Sequence, residues 1–144
     1  MEENIIFTKL KNASLGFIEN LDKLKSKRMG GGSTNYIPAI EDVANIIKSI
    51  PKGETRTILD FRVELAKRKH TDTACPAKVL KYWKWMANLP DDIKEKHLQY
   101  DIPWWRVLKD GKLSRHMPGG EANQKMLLES EGVIVDKSQK YRRL

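Results

Sequence analysis

TILDFRVELAKRKHTDTACPAKVLKYWKWMA, residues 57–87, holds two amphipathic runs on either side of a short polar break, TDT. Thr57 is an N-cap type residue with Asp60 three positions on, the capping-box spacing, and Ile58, Phe61 and Leu65 share one helical face. Lys67, Arg68, Lys69 and His70 end the run with positive charge at the negative pole of the helix. Past the break Thr73 is the expected cap of a second helix, with Pro76 tolerated in its first turn because that N–H would have had no intrahelical partner. Val79, Tyr82 or Trp83, and Met86 form the inward stripe of this helix, while Lys78, Lys81 and Trp85 point elsewhere. Two helices across a short break, the second basic on its exposed side, read as a helix-turn-helix. An ordinary helical hairpin with solvated lysines fits the same pattern.

Upstream, AIEDVANIIKSIPKG (residues 39–53) predicts a helix with Ile40, Val43, Ile47 and Ile50 on one side, acidic residues in the first turn, and Pro51 and Gly53 closing it. Residues 1–28 carry a loose helical pattern, Ile5, Ile6, Leu10, Leu15, Phe17, Ile18, Leu21 and Leu24, and end in the basic run KLKSKR. MGGGSTN, residues 29–35, punctuates it. The expected division is therefore an accessory helical segment and glycine-rich linker over 1–35 and a compact domain over 36–144.

Downstream, residues 88–101 predict a polar loop or short irregular helix. WWRVLKDGKLS suggests two short strands around Asp110-Gly111, a turn dipeptide able to make a small wing. PGGEANQKMLLESEGV predicts a helix from about Glu121 to Glu131, stopped by Gly132 where a positive φ is wanted. KSQKYRRL reads as a basic tail or an edge strand.

The chain has 144 residues, enough for one domain with a core and short for two. Its composition, 40% hydrophobic and 32% charged, suits a globular protein, and no stretch approaches the ~18 apolar residues of a membrane helix. The start, MEENIIFTKL, lacks the flank and apolar run of a secretory signal, so a cytoplasmic location is expected. A net charge of +8 favours a polyanionic partner such as nucleic acid or an anionic membrane surface. A single cysteine, Cys75, excludes an internal disulfide, and three separated histidines make no metal cluster, so no metal or cofactor is expected.

Three pieces, IPKG at 50–53, IPWWRVL at 102–108 and PGGEANQKMLLESEGV at 118–133, resemble in order and spacing the DNA-binding domain of the O6-alkylguanine-DNA alkyltransferases. They are closer still to the alkyltransferase-like proteins, whose alkyl-accepting cysteine is replaced, commonly by tryptophan. The resemblance spans about residues 36–135. It implies a mostly α fold with a small β wing, winged-helix-like, its helix-turn-helix entering the minor groove of duplex DNA to flip a damaged base. Trp104 stands at the acceptor position, Trp105 at that of the activating histidine, and Glu131 at that of the glutamate orienting it. A thiolate nucleophile needs an adjacent base and an orienter, and only the orienter is kept. The resemblance therefore implies recognition of O6-alkylguanine-type DNA in repair without alkyl transfer.

Taken without the resemblance, Trp104 reads as core packing; with it, Trp104 is expected to contact the lesion, while Trp105 reads as structural. Lys78 or Lys81 matches the intercalating arginine of the recognition helix, neither offering a guanidinium plane, and Ile58 replaces a phosphate-rotating tyrosine. Asn88 matches an asparagine bracing the turn near the site and Lys125 a lysine around the pocket; Pro118 replaces a serine. Arg106 is expected to hold the pocket loop through backbone carbonyls or a buried carboxylate. Lys67, Arg68 and Lys69 are candidates for nonspecific phosphate contact. Gly119 and Gly120 suggest a close approach between the wing and the last helix. Two rivals stand beside this reading: alkyl transfer through Cys75, and a DNA-binding regulatory module with no lesion preference. A monomer is expected, with a repair protein as a further partner.

Overall fold

The computed structural model describes residues 16–135 and 141–142. Helix α1 covers Lys23–Arg28, α2 Ile40–Lys48, α3 Ile58–Lys69, α4 Pro76–Ala87, α5 Asp91–Lys96 and α6 Gly120–Ser130. Short strands link them: β1 Phe17–Asn20, β2 Thr34–Ile37, β3 Arg56–Thr57, β4 Thr73–Ala74, β5 Val107–Leu108, β6 Ile134–Val135 and β7 Tyr141–Arg142. The fold is helix-rich with small sheets. No helix among the described residues is long and apolar enough to cross a membrane.

The central pair α3 and α4 forms where the sequence places it. The box at α3 closes both ways, Asp60 N donating to Thr57 Oγ1 (3.2 Å) and Thr57 N to Asp60 Oδ2 (2.8 Å). The start of α4 differs from the expectation. Cys75, not Thr73, is its N-cap residue, with Pro76 in the first turn and no side-chain cap bond. Thr73 is drawn into β4, whose parallel pairing with β2 sets Asn35 opposite Thr73 and Tyr36 opposite Ala74. Its hydroxyl accepts from Arg62 Nη2 instead (3.0 Å). Strand pairing thus moves the cap two residues on, to where proline fits. Tyr82 and Trp83 are both buried, so the inward face of α4 is wider than one stripe.

The helix expected over residues 1–28 gives way, in its described part, to a strand and a short helix. Strand β1 lies antiparallel to β2, Phe17 opposite Ile37 and Asn20 opposite Thr34. Local helical spacing is a weak preference, and the free edge of β2 overrides it by taking up the backbone groups of residues 17–20. The pattern at Ile5, Ile6, Leu10 and Leu15 lies outside the described residues.

The wing is smaller than expected. Asp110 and Gly111 do turn with positive φ (53° and 73°), the geometry of a tight hairpin, but only Lys109 and Lys112 bridge across it. Val107 and Leu108 pair in parallel with Arg56 and Thr57 instead. Helix α6 ends in a Schellman arrangement, Val133 N bonding Leu128 O and Gly132 N bonding Glu129 O (both 3.0 Å), with Gly132 at φ 86°. The basic C-terminal segment supplies the edge strand β7 against β6.

Candidate functional site

The three separate sequence pieces that carry the resemblance meet in one place. After Ile102-Pro103 the chain makes a tight 3₁₀ turn over Trp104–Arg106, and this turn is tied to both other pieces. Arg106 Nη1 donates to the carbonyl of Ile50, at the start of IPKG (2.8 Å). Its Nε and Nη2 donate to Glu131 Oε1 (2.9 Å) and Oε2 (2.6 Å), a two-pronged ion pair largely removed from solvent. Gly53 completes the approach: a Cβ there would stand 3.2 Å from the Glu131 carbonyl, and its φ is +87°. Both structural roles expected of Arg106, carbonyl bracing and carboxylate pairing, are present together.

Glu131 also accepts the Trp105 indole N–H, Nε1 to Oε1 at 3.0 Å, and the Arg106 guanidinium lies 5.6 Å from the Trp105 ring centre. Burial pushes the Glu131 carboxyl up, but the Arg106 and Trp105 hydrogen bonds and the charges of Arg106 and Lys52 outweigh it and hold the group below its ordinary value. The carboxylate is thus an ionised, occupied acceptor.

Trp104 itself is 5% exposed and belongs to the main core. Its ring meets Trp105 edge-on (5.7 Å, 87°), and its carbonyl accepts from Trp83 Nε1 (3.0 Å). The Trp104 backbone therefore ties the turn to α4, and its indole packs in the core. Cys75 sits elsewhere, partly exposed at the start of α4, in a cavity of 180 Å³ shared with Leu21, Lys25, Arg28, Met29, Asn35 and Glu19.

Gln124 was not singled out by sequence reasoning. Fully buried on α6, it donates to the carbonyls of Trp105 (3.1 Å) and Val107 (2.9 Å) and accepts from Ser114 N (2.8 Å). A glutamine one turn before the buried Leu128, on the same face, is the signal that was there to find. The close approach between wing and last helix expected of Gly119 and Gly120 is not what the glycines serve: a Cβ at Gly119 would fall 2.5 Å from that of Asn123 in the same helix, and a Cβ at Gly120 would meet nothing within 4 Å. A second feature not anticipated is an open cavity of 360 Å³ lined by Lys109, Lys112, Ser114, Arg115, His116 and Glu121 among others.

The basic candidates fall into separate groups. On α4, Lys78 lies over Tyr82 (5.9 Å) and the exposed Lys81 over Trp85 (4.9 Å). Asn88, the C-cap of α4, donates to Lys84 O (2.9 Å) and His116 O (3.4 Å), linking the helix end to the loop before α6. Lys125 is exposed on α6. Lys67, Arg68 and Lys69 end α3; Arg68 pairs with Glu64 (2.5 Å), Lys69 lies over Tyr36 (5.2 Å), and both line a cavity with Asp42 and Asn45 of α2. This last group belongs to the α2–α3 flank, whereas Lys78 and Lys81 belong to α4.

Comparison with protein families and with curated proteins finds no match. Among solved structures the chain is similar to the S. pombe ATL in complex with DNA, at 24% identity and a TM-score of 0.47, over 73% of this chain and 86% of that one. It is likewise similar to S. pombe Atl1 in complex with damaged DNA containing O6-carboxymethylguanine, at 24% identity and a TM-score of 0.44, over 73% and 87%.

Proposed function

We propose that this chain binds duplex DNA and holds an O6-alkylguanine-type base without taking its alkyl group, as a recognition factor in DNA repair. The observation that carries the second half is the pairing at the acceptor turn. Transfer requires a nucleophile that loses a proton as it attacks the alkyl carbon and expels the guanine O6. Position 104 offers an indole, and the neighbouring Trp105 offers a donor already engaged by Glu131. With Glu131 engaged by Arg106 and Trp105, this turn supplies no thiol and no imidazole for transfer.

The DNA-binding half is supported by α4, which carries Lys78, Lys81 and Lys84 beside Trp85 and follows α3 across a short break. In this reading α4 is the recognition helix of a winged-helix-like domain over residues 36–144, acting as a monomer, and Asn88 and Lys125 border the base site. Because Trp104 is 5% exposed, its contact with an extruded base belongs to the bound state, in which side chains over the indole are displaced. Stacking on an aromatic face then offsets part of the cost of unpairing.

Incubation with a duplex carrying one O6-methylguanine tests the absence of transfer. A complex in native mass spectrometry, with protein mass unchanged and the lesion intact after release, is the expected result. Added alkyl mass on Cys75 would instead establish the transferase rival.

A further inference from the structure

Helix α1 has no buried residue, so the hydrophobic core does not account for it. Its sequence, KLKSKR, carries Lys23, Lys25, Lys27 and Arg28 and no acidic residue, and all four cations are exposed. Lys25 lies 3.8 Å from Glu19; among the described residues Lys23, Lys27 and Arg28 have no ion pair. A six-residue helix with like charges at i and i+4 does not persist by itself. It must be held, and the way it is held places it.

Asp22 caps its first turn, accepting from Lys25 N (2.8 Å), and the loop that follows the helix is held by Asp72, in the break between α3 and α4. Its Oδ2 accepts from the backbone of Ser33 (2.8 Å) and Thr34 (3.1 Å) and from both hydroxyls, and its own N–H donates to Thr34 Oγ1 (3.0 Å). Glycine at 32 is required for this approach, since a Cβ would stand 2.6 Å from that of Asp72 and φ is +95°. Ser26 Oγ donates to the Gly32 carbonyl (2.6 Å), tying α1 to the same loop. Lys25 and Arg28 share a cavity with Cys75, the residue from which α4 starts, and Lys78 lies one turn further along α4. The basic helix is therefore fixed beside the break and the beginning of α4.

We propose that α1 is a second phosphate-contacting element, carrying the footprint on duplex DNA from α4 across the α3–α4 break onto the flanking sugar-phosphate backbone. The inference rests on the reading of α4 as a DNA-binding helix. Cations at this position add affinity and salt dependence and no lesion discrimination, because phosphates are the same beside any base.

The test measures affinity for a plain and an O6-methylguanine duplex across a salt series, for wild type, K23Q/K27Q/R28Q and K78Q/K81Q. Each lost phosphate contact lowers the slope of log K against log salt by ~0.9, so the α1 variant is expected to lose about 2–3 in slope on both duplexes with its lesion preference unchanged. A wild-type slope in that variant, with K78Q/K81Q still weakened, overturns the inference and leaves the α4 reading standing. No duplex binding by wild type overturns both. D72A keeps every α1 cation and raises the net charge by one, so nonspecific attraction alone predicts tighter binding. Loss of the clamp predicts weaker binding and a shallower slope, and tighter binding by D72A counts against the proposal.

Discussion

Glu131 receives three hydrogen bonds from two residues, and among the described residues it is the one carboxylate paired with Arg106. Glu131→Gln leaves a mostly buried guanidinium without its counter-charge, a loss of about 3 kcal/mol in urea unfolding. The folded carboxyl titrates below its ordinary value, so its contribution is present above the unfolded carboxylate pKa and disappears as pH falls through the folded one. The wild-type melting temperature should therefore owe nothing to this group's titration between pH 6 and 8 and drop in acid; the Gln variant should lack that part of the drop. Gln124→Leu strands the Ser114 N–H and two carbonyls, and about 1–3 kcal/mol is expected to be lost by the same measurement. Residue types at these positions were legible, their partners less so. Arg106 read as a brace because it follows two bulky side chains, but nothing local in sequence joins it to Ile50. Trp104 illustrates the converse: composition favoured core packing, the resemblance favoured ligand contact, and its burial agrees with the first.

Helices α2, α3 and α6 were legible because their start and stop signals are local, a cap, a dipole charge or a glycine within one turn. Thr57→Ala removes one side of the α3 box and is expected to cost about 1 kcal/mol, read as a lower urea midpoint with unchanged slope. Strands β1 and β4 were not legible, because each is defined by an edge of β2 distant in sequence. That same pairing shifted the start of α4 from Thr73 to Cys75. The wing is reduced for a related reason: Asp110-Gly111 specifies the turn, but β3 competes for Val107 and Leu108 and leaves one bridge across it.

Across the molecule, the proposed function assigns two tasks: the +8 charge supplies attraction for any duplex, and the turn at Trp104 selects the base that is held. These separate experimentally, since salt weakens the first and acts equally on lesion and plain DNA. Trp104→Phe is preferred to Trp104→Ala as a probe of the base site, because emptying a buried indole is expected to cost about 3–5 kcal/mol and confound binding with folding. The Phe variant should keep plain-duplex affinity and lose part of the lesion preference. The most direct measurement is the titration of labelled duplexes, identical except for one O6-methylguanine, with wild-type protein over several salt concentrations. Tighter binding to the lesion by a ratio that stays constant while both affinities fall with salt is the predicted result. Equal affinities at every salt concentration would contradict the account and leave a basic DNA-binding module whose paired tryptophans only pack.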